Sequence, residues 1–282
     1  MIVFTERKEI EKHLQGLKDQ QFSVGFVPTM GALHQGHLSL VAEALQQNDI
    51  AVVSIFVNPT QFDNATDLKN YPRTLKRDTE LLASVSNTII VYAPEVADIY
   101  EVETKAERFS FDGLEYEMEG RFREGHFDGV GTIVKRLFEI VKPDNAYFGQ
   151  KDFQQLAIIK KLVEKHQIPV TIHGCPIHRD SNGLALSSRN ERLKPDYKKA
   201  APFIYKTLET AKKQFGTKSA KYVTEWVENA FSNHDLLQLE YFIIADEETL
   251  KPVTRKSKTK TYRAFIAVYA DDIRLIDNIA LN

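Results

Sequence analysis

Short apolar runs alternate with segments of helical spacing along the first 175 residues of this chain. The runs at 23–27, 50–57, 88–92, 146–148 and 170–175 predict β-strands. The run at 50–57 is a continuous β-branched stretch, which is typical of a parallel strand buried on both faces. Helical spacing predicts helices, at residues 6–20, 38–47, 75–84, 129–141 and 154–166, with an irregular section over 93–128. This alternation predicts an α/β fold with a Rossmann-like, doubly wound parallel sheet.

The pattern changes after Cys175. Two helices at 196–215 and 218–233 precede three alternating strands at 239–245, 262–269 and 273–277. Helices followed by an antiparallel three-stranded meander predict a smaller C-terminal α+β domain. We therefore place the domains at 1–176 and 177–282, and interpret the basic run at 254–260 as a solvated turn between two strands.

A pair of histidines lies where the first strand turns into a helix. His34 and His37 frame the sequence His-Gln-Gly-His directly before the helical segment 38–47. Helix N-termini favour phosphates through their backbone N–H groups and dipole, and Gly31 and Gly36 allow a turn and a close backbone approach. The motif alone is weak, because two histidines that cap an ordinary helix would look the same.

Polar clusters also follow two other strands. Asn58 and Gln61 follow the strand at 50–57, and the residues 149–152 follow the strand at 146–148. In doubly wound sheets, ligands bind beyond the carboxyl ends of the strands. We therefore expect the three clusters to converge at one edge of the sheet.

Composition narrows the class of protein. The chain has 282 residues, a length that suggests two domains, and a formal net charge of −2, which gives no support for binding nucleic acid or an anionic membrane. Its single cysteine excludes an intramolecular disulfide and a cysteine zinc site. The N-terminus lacks a signal h-region and no apolar run approaches membrane-spanning length, so a cytoplasmic location is expected.

Six ordered blocks carry a family resemblance that covers essentially the whole chain. They are VPTMGALHQGH (27–37), VNPTQF (57–62), YPRT (71–74), GHFDGV (125–130), PDNAYFGQKDFQQ (143–155) and SSRN (187–190). Together they resemble the pantothenate synthetase (pantoate–β-alanine ligase) family of the His-x-Gly-His nucleotidylyltransferase superfamily.

The resemblance implies an ATP-dependent amide ligation in two steps. Pantoate would attack the α-phosphate of ATP and release pyrophosphate, and β-alanine would then attack the pantoyl adenylate and release AMP. Mg²⁺ is expected as the metal, since it binds phosphate oxygens and keeps several waters. The resemblance also implies a homodimer formed through the first domain.

The resemblance assigns roles to residues of this chain. His34, His37 and Lys151 would be catalytic, with the histidines and the lysine at the phosphates, and Asp152 would accept from the ribose hydroxyls. Asn58, Gln61 and Gln155 would hold pantoate or β-alanine, and Asp78 is a candidate for an outer-shell contact to the metal. The full ATP-binding set would be Met30, Gly31, His34, Gly36, His37, Gly149, Gln150, Lys151, Asp152, His178, Leu186, Ser187, Ser188 and Arg189. Arg123 and His126 are secondary candidates.

The chain departs from the family pattern at three places. Glu124 stands where proline is usual, and Leu186 replaces methionine, a swap that conserves volume. Arg-Asp-Ser-Asn-Gly at 179–183 replaces the commoner Arg-Glu-x-Asp-Gly, which weakens the prediction of contacts at 178–183.

Two other functions compete with this interpretation. The first is another nucleotidylyltransferase of the same superfamily that acts on a phosphorylated acceptor, for which extra cations would be expected where Gln61 and Gln155 stand. The second is a non-catalytic nucleotide-binding or scaffold protein, which should have lost His34, His37 or Lys151.

Overall fold

The computed structural model describes residues 1–62, 65–100, 103–253 and 255–282. Contacts between Cα atoms divide the chain into two compact units. The first unit comprises Met1–Gln150 and Gln155–Pro176, and the second comprises Lys151–Gln154 and Ile177–Asn282. The short segment Lys151–Gln154 therefore groups with residues that follow it by more than twenty positions.

The first unit contains a six-stranded parallel sheet in the order β1-β4-β3-β2-β5-β6 within the described residues. Its strands are β1 (Ile2–Phe4), β2 (Val24–Thr29), β3 (Ile50–Ile55), β4 (Ile90–Tyr92), β5 (Asn145–Gly149) and β6 (Thr171–Cys175). The prediction of a doubly wound parallel sheet is confirmed. Strand β1 was not predicted, because its three residues are half-buried or exposed and show no alternation.

Helices connect these strands. They are α1 (Arg7–Lys18), α2 (Gln35–Gln47), α3 (Ala65–Asn70), α4 (Leu75–Val85), α5 (Val96–Tyr100), α6 (Glu119–Phe122), α7 (His126–Val141) and α8 (Phe153–His166). The bounds of α1, α2, α4, α7 and α8 lie close to the predicted ones, whereas α3, α5 and α6 were not predicted. The section predicted as irregular, 93–128, contains α5, α6 and the first turn of α7. These pieces are too short for periodicity to show, and residues 101 and 102 of the section lie outside the described residues.

Strand β2 continues through Pro28, beyond the end predicted at Val27. Val24 faces β5, because its carbonyl oxygen accepts from the backbone N–H of Asp144 at 2.9 Å, and Pro28 shares that side by alternation. β2 pairs with β5 only at Gly25 and Phe26, whereas it pairs with β3 over its whole length. Proline has no N–H for a ladder. Pro28 therefore cannot donate a ladder hydrogen bond toward β5, and the β2–β5 ladder ends at Phe26.

The second unit contains a three-stranded antiparallel sheet in the order β7-β8-β9, as predicted. Its elements are α9 (Pro195–Ala200), α10 (Phe203–Phe215), α11 (Ala220–Ser232), β7 (Leu237–Asp246), β8 (Tyr262–Ala270) and β9 (Ile273–Ala280). The prediction of one helix over 196–215 is wrong. Pro202 lacks the N–H that a continuous helix needs, so α9 and α10 are separate. In the basic run 254–260, Thr254 lies outside the described residues and residues 255–260 are exposed.

Each unit has its own hydrophobic core. Buried residues of α2, β2 and β3, among them Val41, Val27 and Val53, pack together in the first unit. In the second unit, α10 and α11 pack against the sheet through residues such as Leu208 and Val227. Leu208 is fully buried in that cluster.

Replacing Leu208 with alanine is expected to lower the free energy of unfolding of the second unit by about 2–5 kcal/mol, because a buried leucine leaves a cavity. Chemical denaturation measures the change. Lys212→Ala on the exposed face of the same helix is the control, expected to change stability by less than about 0.5 kcal/mol. Equal effects of the two changes would contradict the assignment of this core.

Candidate active site

The histidine pair lies at the start of α2, as the sequence predicts. His34 is the N-cap residue, and its Nδ1 accepts from the backbone N–H of Gly36 at 3.1 Å. The Nδ1 of His37 accepts from the backbone N–H of His34 at 3.3 Å, and the two ring centroids are 4.1 Å apart. A ring nitrogen that accepts carries no proton, so each neutral imidazole carries its proton on Nε2. Both rings can thus donate from Nε2 beside the positive end of the helix dipole.

A buried carboxylate holds the loop that precedes these histidines. Asp78 is fully buried, and its two oxygens accept from the backbone N–H groups of Ala32 at 3.0 Å and Leu33 at 2.8 Å. The hydroxyl of Thr74 donates to the same carboxylate at 3.2 Å. Gly31 has a positive φ of 80°, and a Cβ there would come within 3.1 Å of Asp78 Oδ2. Glycine is therefore required at this turn, and Asp78 supports the loop backbone.

Asn58 organises an amide cluster beyond the end of β3. Asn58 is 1% exposed. Its Nδ2 donates to the carbonyl of Gly129 at 3.2 Å and to Gln61 Oε1 at 3.3 Å. Its Oδ1 accepts from the Tyr100 hydroxyl at 2.5 Å. Burial raises the pKa of Tyr100, so the phenol remains a donor. Because Gln61 Oε1 faces Asn58, its Nε2 points the other way, where it contacts Met30 Sδ at 2.8 Å.

Arg123 and His126 support the main chain of Gln61. His126 is buried, and its Nδ1 lies 2.8 Å from the Gln61 carbonyl oxygen, so this nitrogen is the donor. The Nε2 of His126 lies 3.2 Å from Arg123 Nη1, which can only donate. The Nη2 of Arg123 donates to the Gln61 carbonyl oxygen at 3.4 Å. These secondary candidates thus bind the main chain of Gln61, which belongs to the amide cluster. The neighbouring departure, Glu124, is exposed.

The remaining candidates of the first unit follow β5. Gly149 ends the strand, and the Gln150 side chain donates to the Gly174 carbonyl at 3.1 Å on β6. Gln155 lies half-buried in the first turn of α8. β5 neighbours β2, and β2 neighbours β3, so the loops that carry the three polar clusters follow adjacent strands.

The second unit holds the other candidates. Lys151 Nζ and Asp152 Oδ2 are 3.1 Å apart, and Ser187 caps the 3₁₀ helix Ser188–Arg192 by accepting from the backbone N–H of Arg189 at 3.3 Å. The backbone N–H of Leu186 donates to the carbonyl oxygen of the exposed residue His178 at 3.0 Å. The structure thus brings Met30, Gly31, His34, Gly36, His37, Asn58, Gln61, Asp78, Gly149, Gln150 and Gln155 into the first unit, and Lys151, Asp152, His178, Leu186, Ser187, Ser188 and Arg189 into the second.

Arg179 begins the segment where the family pattern changes, and its role is structural. Its guanidinium binds the buried carboxylate of Asp277 in a bidentate manner at 2.6 and 2.9 Å and lies 3.7 Å from the centre of the Tyr205 ring. Burial raises the pKa of Asp277, and the Arg179 and Lys151 charges act in the opposite direction. Residues 180–182 are exposed, so the changes there fall in a solvated turn.

The carboxylates of the site are already engaged by protein groups. Among the described residues, no group of three or more His, Cys, Asp or Glu side chains could hold a metal ion. The oxygens of Asp78 accept backbone N–H groups, and Asp152 pairs with Lys151. This donor set fits a magnesium ion that binds on a triphosphate and takes its ligands from phosphate and water.

Tyr100 and Gly129 contact Asn58 of the amide cluster, and neither was a site candidate in the sequence. Tyr100 lies 42 residues from Asn58 and Gly129 lies 71 residues from it. A Cβ on Gly129 would come within 2.3 Å of the Thr60 carbonyl oxygen, so this helical glycine allows α7 to approach the loop. The spacing of the two glycines in GHFDGV draws attention to Gly129 in the sequence, but it does not show which residues Gly129 contacts.

The fold and the site together define a Rossmann-like α/β protein of the nucleotide-binding class. The family model of pantoate–β-alanine ligase matches residues 2–280. The pantothenate synthetase of Flavobacterium psychrophilum is 59% identical over 281 residues, which cover 100% of both chains. The chain therefore belongs to the pantoate–β-alanine ligase family, and it is a ligase. Within the part of the chain that the structure describes, none of the helices combines the length and the hydrophobicity of a membrane span.

Solved structures agree with this membership. A pantothenate synthetase from Thermus thermophilus matches with a TM-score of 0.91 and 37% identity, covering 100% of this chain and 99% of that one. A pantoate–β-alanine ligase from Francisella tularensis, complexed with βγ-ATP and β-alanine, matches with a TM-score of 0.81 and 36% identity, covering 100% and 98%. The family assignment made from six sequence blocks is thus confirmed.

Replacing Asp78 with asparagine is expected to destabilise the loop before α2, because an amide NH₂ would face a backbone N–H donor. A buried donor without an acceptor costs about 1–3 kcal/mol. Denaturation without ligands should show this loss, and ATP affinity should fall at every Mg²⁺ concentration. Glu80→Gln, at an exposed position of the same helix, is the control. Wild-type stability together with rescue by excess Mg²⁺ would instead indicate a metal contact.

Proposed function

We propose that this protein condenses pantoate with β-alanine at the expense of ATP, through a pantoyl adenylate. The pantoate carboxylate attacks the α-phosphorus, forming the acyl–phosphate bond as pyrophosphate leaves. The β-alanine amine then attacks the acyl carbon, and the bond to AMP breaks as the amide forms and the amine loses its proton. The contact between Met30 Sδ and Gln61 Nε2 at 2.8 Å is the observation that carries this proposal. It links the loop between β2 and α2, which carries the histidines, directly to the amide cluster.

The histidines fit the phosphates of ATP. Negative charge grows on the departing pyrophosphate, and fixed donors aimed at such charge are worth about 10²–10³ in rate each. His34 and His37 would donate from Nε2, since backbone N–H groups already occupy Nδ1 of each ring. Their role is therefore hydrogen bonding to the developing charge. Lys151 supplies a mobile positive charge for the phosphates, and Asp152 would accept from the ribose hydroxyls.

The amide cluster fits the organic acid. Gln61 turns its NH₂ group away from Asn58, and this group can donate to a hydroxyl or carboxylate without neutralising the nucleophile. Gln155 would complete the pocket for pantoate, and Ser187, Ser188 and Arg189 would bind the triphosphate. Mg²⁺ would enter with the nucleotide and neutralise phosphate charge. The homodimer and the cytoplasmic location remain predictions, the first to be checked by sedimentation.

The rival function, nucleotidyl transfer to a phosphorylated acceptor, needs cations in the acceptor pocket. Asn58 and Gln61 are neutral, and the guanidinium of Arg123 contacts the main chain of Gln61 and the ring of His126. This arrangement favours an acceptor with hydroxyl and carboxylate groups. A non-catalytic role is disfavoured because His34, His37 and Lys151 are all present.

Exchange of labelled pyrophosphate into ATP tests the two-step reaction. We expect exchange that requires pantoate and proceeds without β-alanine, because the first step is reversible on its own. Release of AMP should need both substrates. Exchange supported by phosphorylated alcohols instead of pantoate would establish the rival function, and exchange that requires β-alanine would exclude a free-standing adenylate.

Replacing Gly129 with alanine is expected to raise the KM for pantoate, because its Cβ would lie 2.3 Å from Thr60 O and 2.7 Å from Gln61 Cα. A displacement of about 1 Å can cost on the order of 10²-fold in kcat/KM. The KM for ATP should change little.

Gly16→Ala in α1 is the matched control, since its added Cβ would meet no described atom within 4 Å. Alanine in place of a helical glycine should stabilise α1 by about 1 kcal/mol and leave the kinetics unchanged. An unchanged KM for pantoate in Gly129→Ala would place pantoate elsewhere.

A further inference from the structure

The segment Lys151–Gln154 is held by residues that come more than a hundred positions later in the chain. It follows β5 directly, yet its contacts group it with Ile177–Asn282. A lysine ammonium lies at the end of a flexible four-carbon side chain, so its reach depends on where its backbone is fixed. The groups that fix the backbone of Lys151 therefore determine which positions its ammonium can reach.

A hydrogen bond from Asn278 holds that backbone. Asn278 Nδ2 donates to the Lys151 carbonyl oxygen at 2.9 Å, across 127 positions of sequence. Asn278 lies on β9, where it pairs with Phe265 of β8, and it is 2% exposed. Because water has almost no access to this amide, the bond is sheltered from competition.

The orientation of the Asn278 amide is itself determined. Its Oδ1 accepts from Arg263 Nη1 at 2.7 Å, and arginine can only donate, so Nδ2 must be the end that faces Lys151. The Asn278 backbone N–H donates to Asp277 Oδ1 at 2.8 Å, and Arg179 Nη2 donates to the Asn278 carbonyl at 3.4 Å. Neighbouring groups thus anchor both its side chain and its main chain.

Arg263 supplies a second attachment to the same segment. Its guanidinium carbon lies 4.1 Å from the centre of the Phe153 ring, which also packs against Phe265 with centroids 5.8 Å apart. Arg263 is 8% exposed, and Glu247 binds its Nε at 2.8 Å. The segment is therefore held at Lys151 by a hydrogen bond and at Phe153 by a cation–π contact.

We propose that Asn278, oriented by Arg263, is a positioning residue that sets Lys151 for ATP. This inference rests on the proposed role of Lys151 at the phosphates. Asn278 itself acts only through the lysine and touches no substrate. It fixes the point from which the lysine side chain extends, which limits the positions that the ammonium can reach.

Asn278→Asp tests the proposal with a minimal change. The carboxylate keeps an oxygen for Arg263 Nη1, but its second oxygen replaces the donor and faces the Lys151 carbonyl oxygen. We expect ATP affinity, measured by calorimetry, to fall about tenfold or more, and kcat/KM for ATP to fall on the order of 10²-fold. The KM for β-alanine should be unchanged. If this variant does not fold, Asn278→Ala, which buries no charge, carries the same expectation.

Asn282→Asp is the matched control. Asn282 Nδ2 donates to the Lys260 carbonyl at 2.8 Å, and its Oδ1 accepts from the Tyr262 backbone N–H at 2.7 Å. The bond again joins an asparagine amide to a lysine carbonyl, but Asn282 is exposed and its segment has no candidate ATP residue. This variant should bind ATP as the wild-type protein does. Equal losses in the two variants would overturn the proposal, as would wild-type ATP affinity in Asn278→Asp.

Lys151→Ala separates this inference from the proposed function. If Lys151→Ala loses ATP affinity, combining it with Asn278→Asp should cause no further loss, because the tether acts through the lysine. Additive losses would show that Asn278 acts on something else and would overturn the inference. Full ATP affinity and activity in Lys151→Ala would overturn the role of Lys151 itself, whatever Asn278 does.

Discussion

The end of the β2–β5 ladder at Phe26 is the constraint on which the candidate site of the first unit depends. Pro28, which cannot donate, follows on the side that faces β5. At this point the chain also reverses the direction in which strands are added to the sheet, with β3 and β4 on one side and β5 and β6 on the other. A crevice at such a switch point is where parallel sheets bind ligands. The loop that carries the histidines follows β2, and Gln150 follows β5, which ends at Gly149.

Two buried polar side chains hold the loops that follow β2 and β3 in place. Asp78 satisfies the backbone of Ala32 and Leu33, and Asn58 connects the loop after β3 to α7 and to Tyr100. Removing one partner from a buried pair leaves the other unsatisfied, which costs more than the bond contributes. These contacts therefore hold each loop in one conformation before any ligand arrives. Such preorganisation is what a site that stabilises developing charge requires.

Much of this architecture could be predicted because it depends on local sequence. The parallel strands and the antiparallel meander follow from periodicity, and the family follows from six ordered blocks. The predictions that were missed or wrong have physical causes. Strand β1 is too short and exposed to show a pattern, helical spacing continues across Pro202 and so merges α9 with α10, and β2 extends through a proline that the sheet tolerates. Arg123 and His126 appeared as candidates in the sequence, but their common target, the carbonyl of Gln61, could not be deduced.

The residue types that the chemistry needs, and their order along the chain, can be read from the amino-acid sequence alone. It placed histidines at a helix start, amides after a strand, and a lysine–aspartate pair after another strand, because these positions follow from local periodicity. The groups that hold these residues in place are known only from the folded structure. The partners Asp78, Gly129 and Asn278 lie 45, 71 and 127 positions away from the residues they contact. Contacts over such distances depend on how the elements pack, and no local pattern in the sequence encodes them.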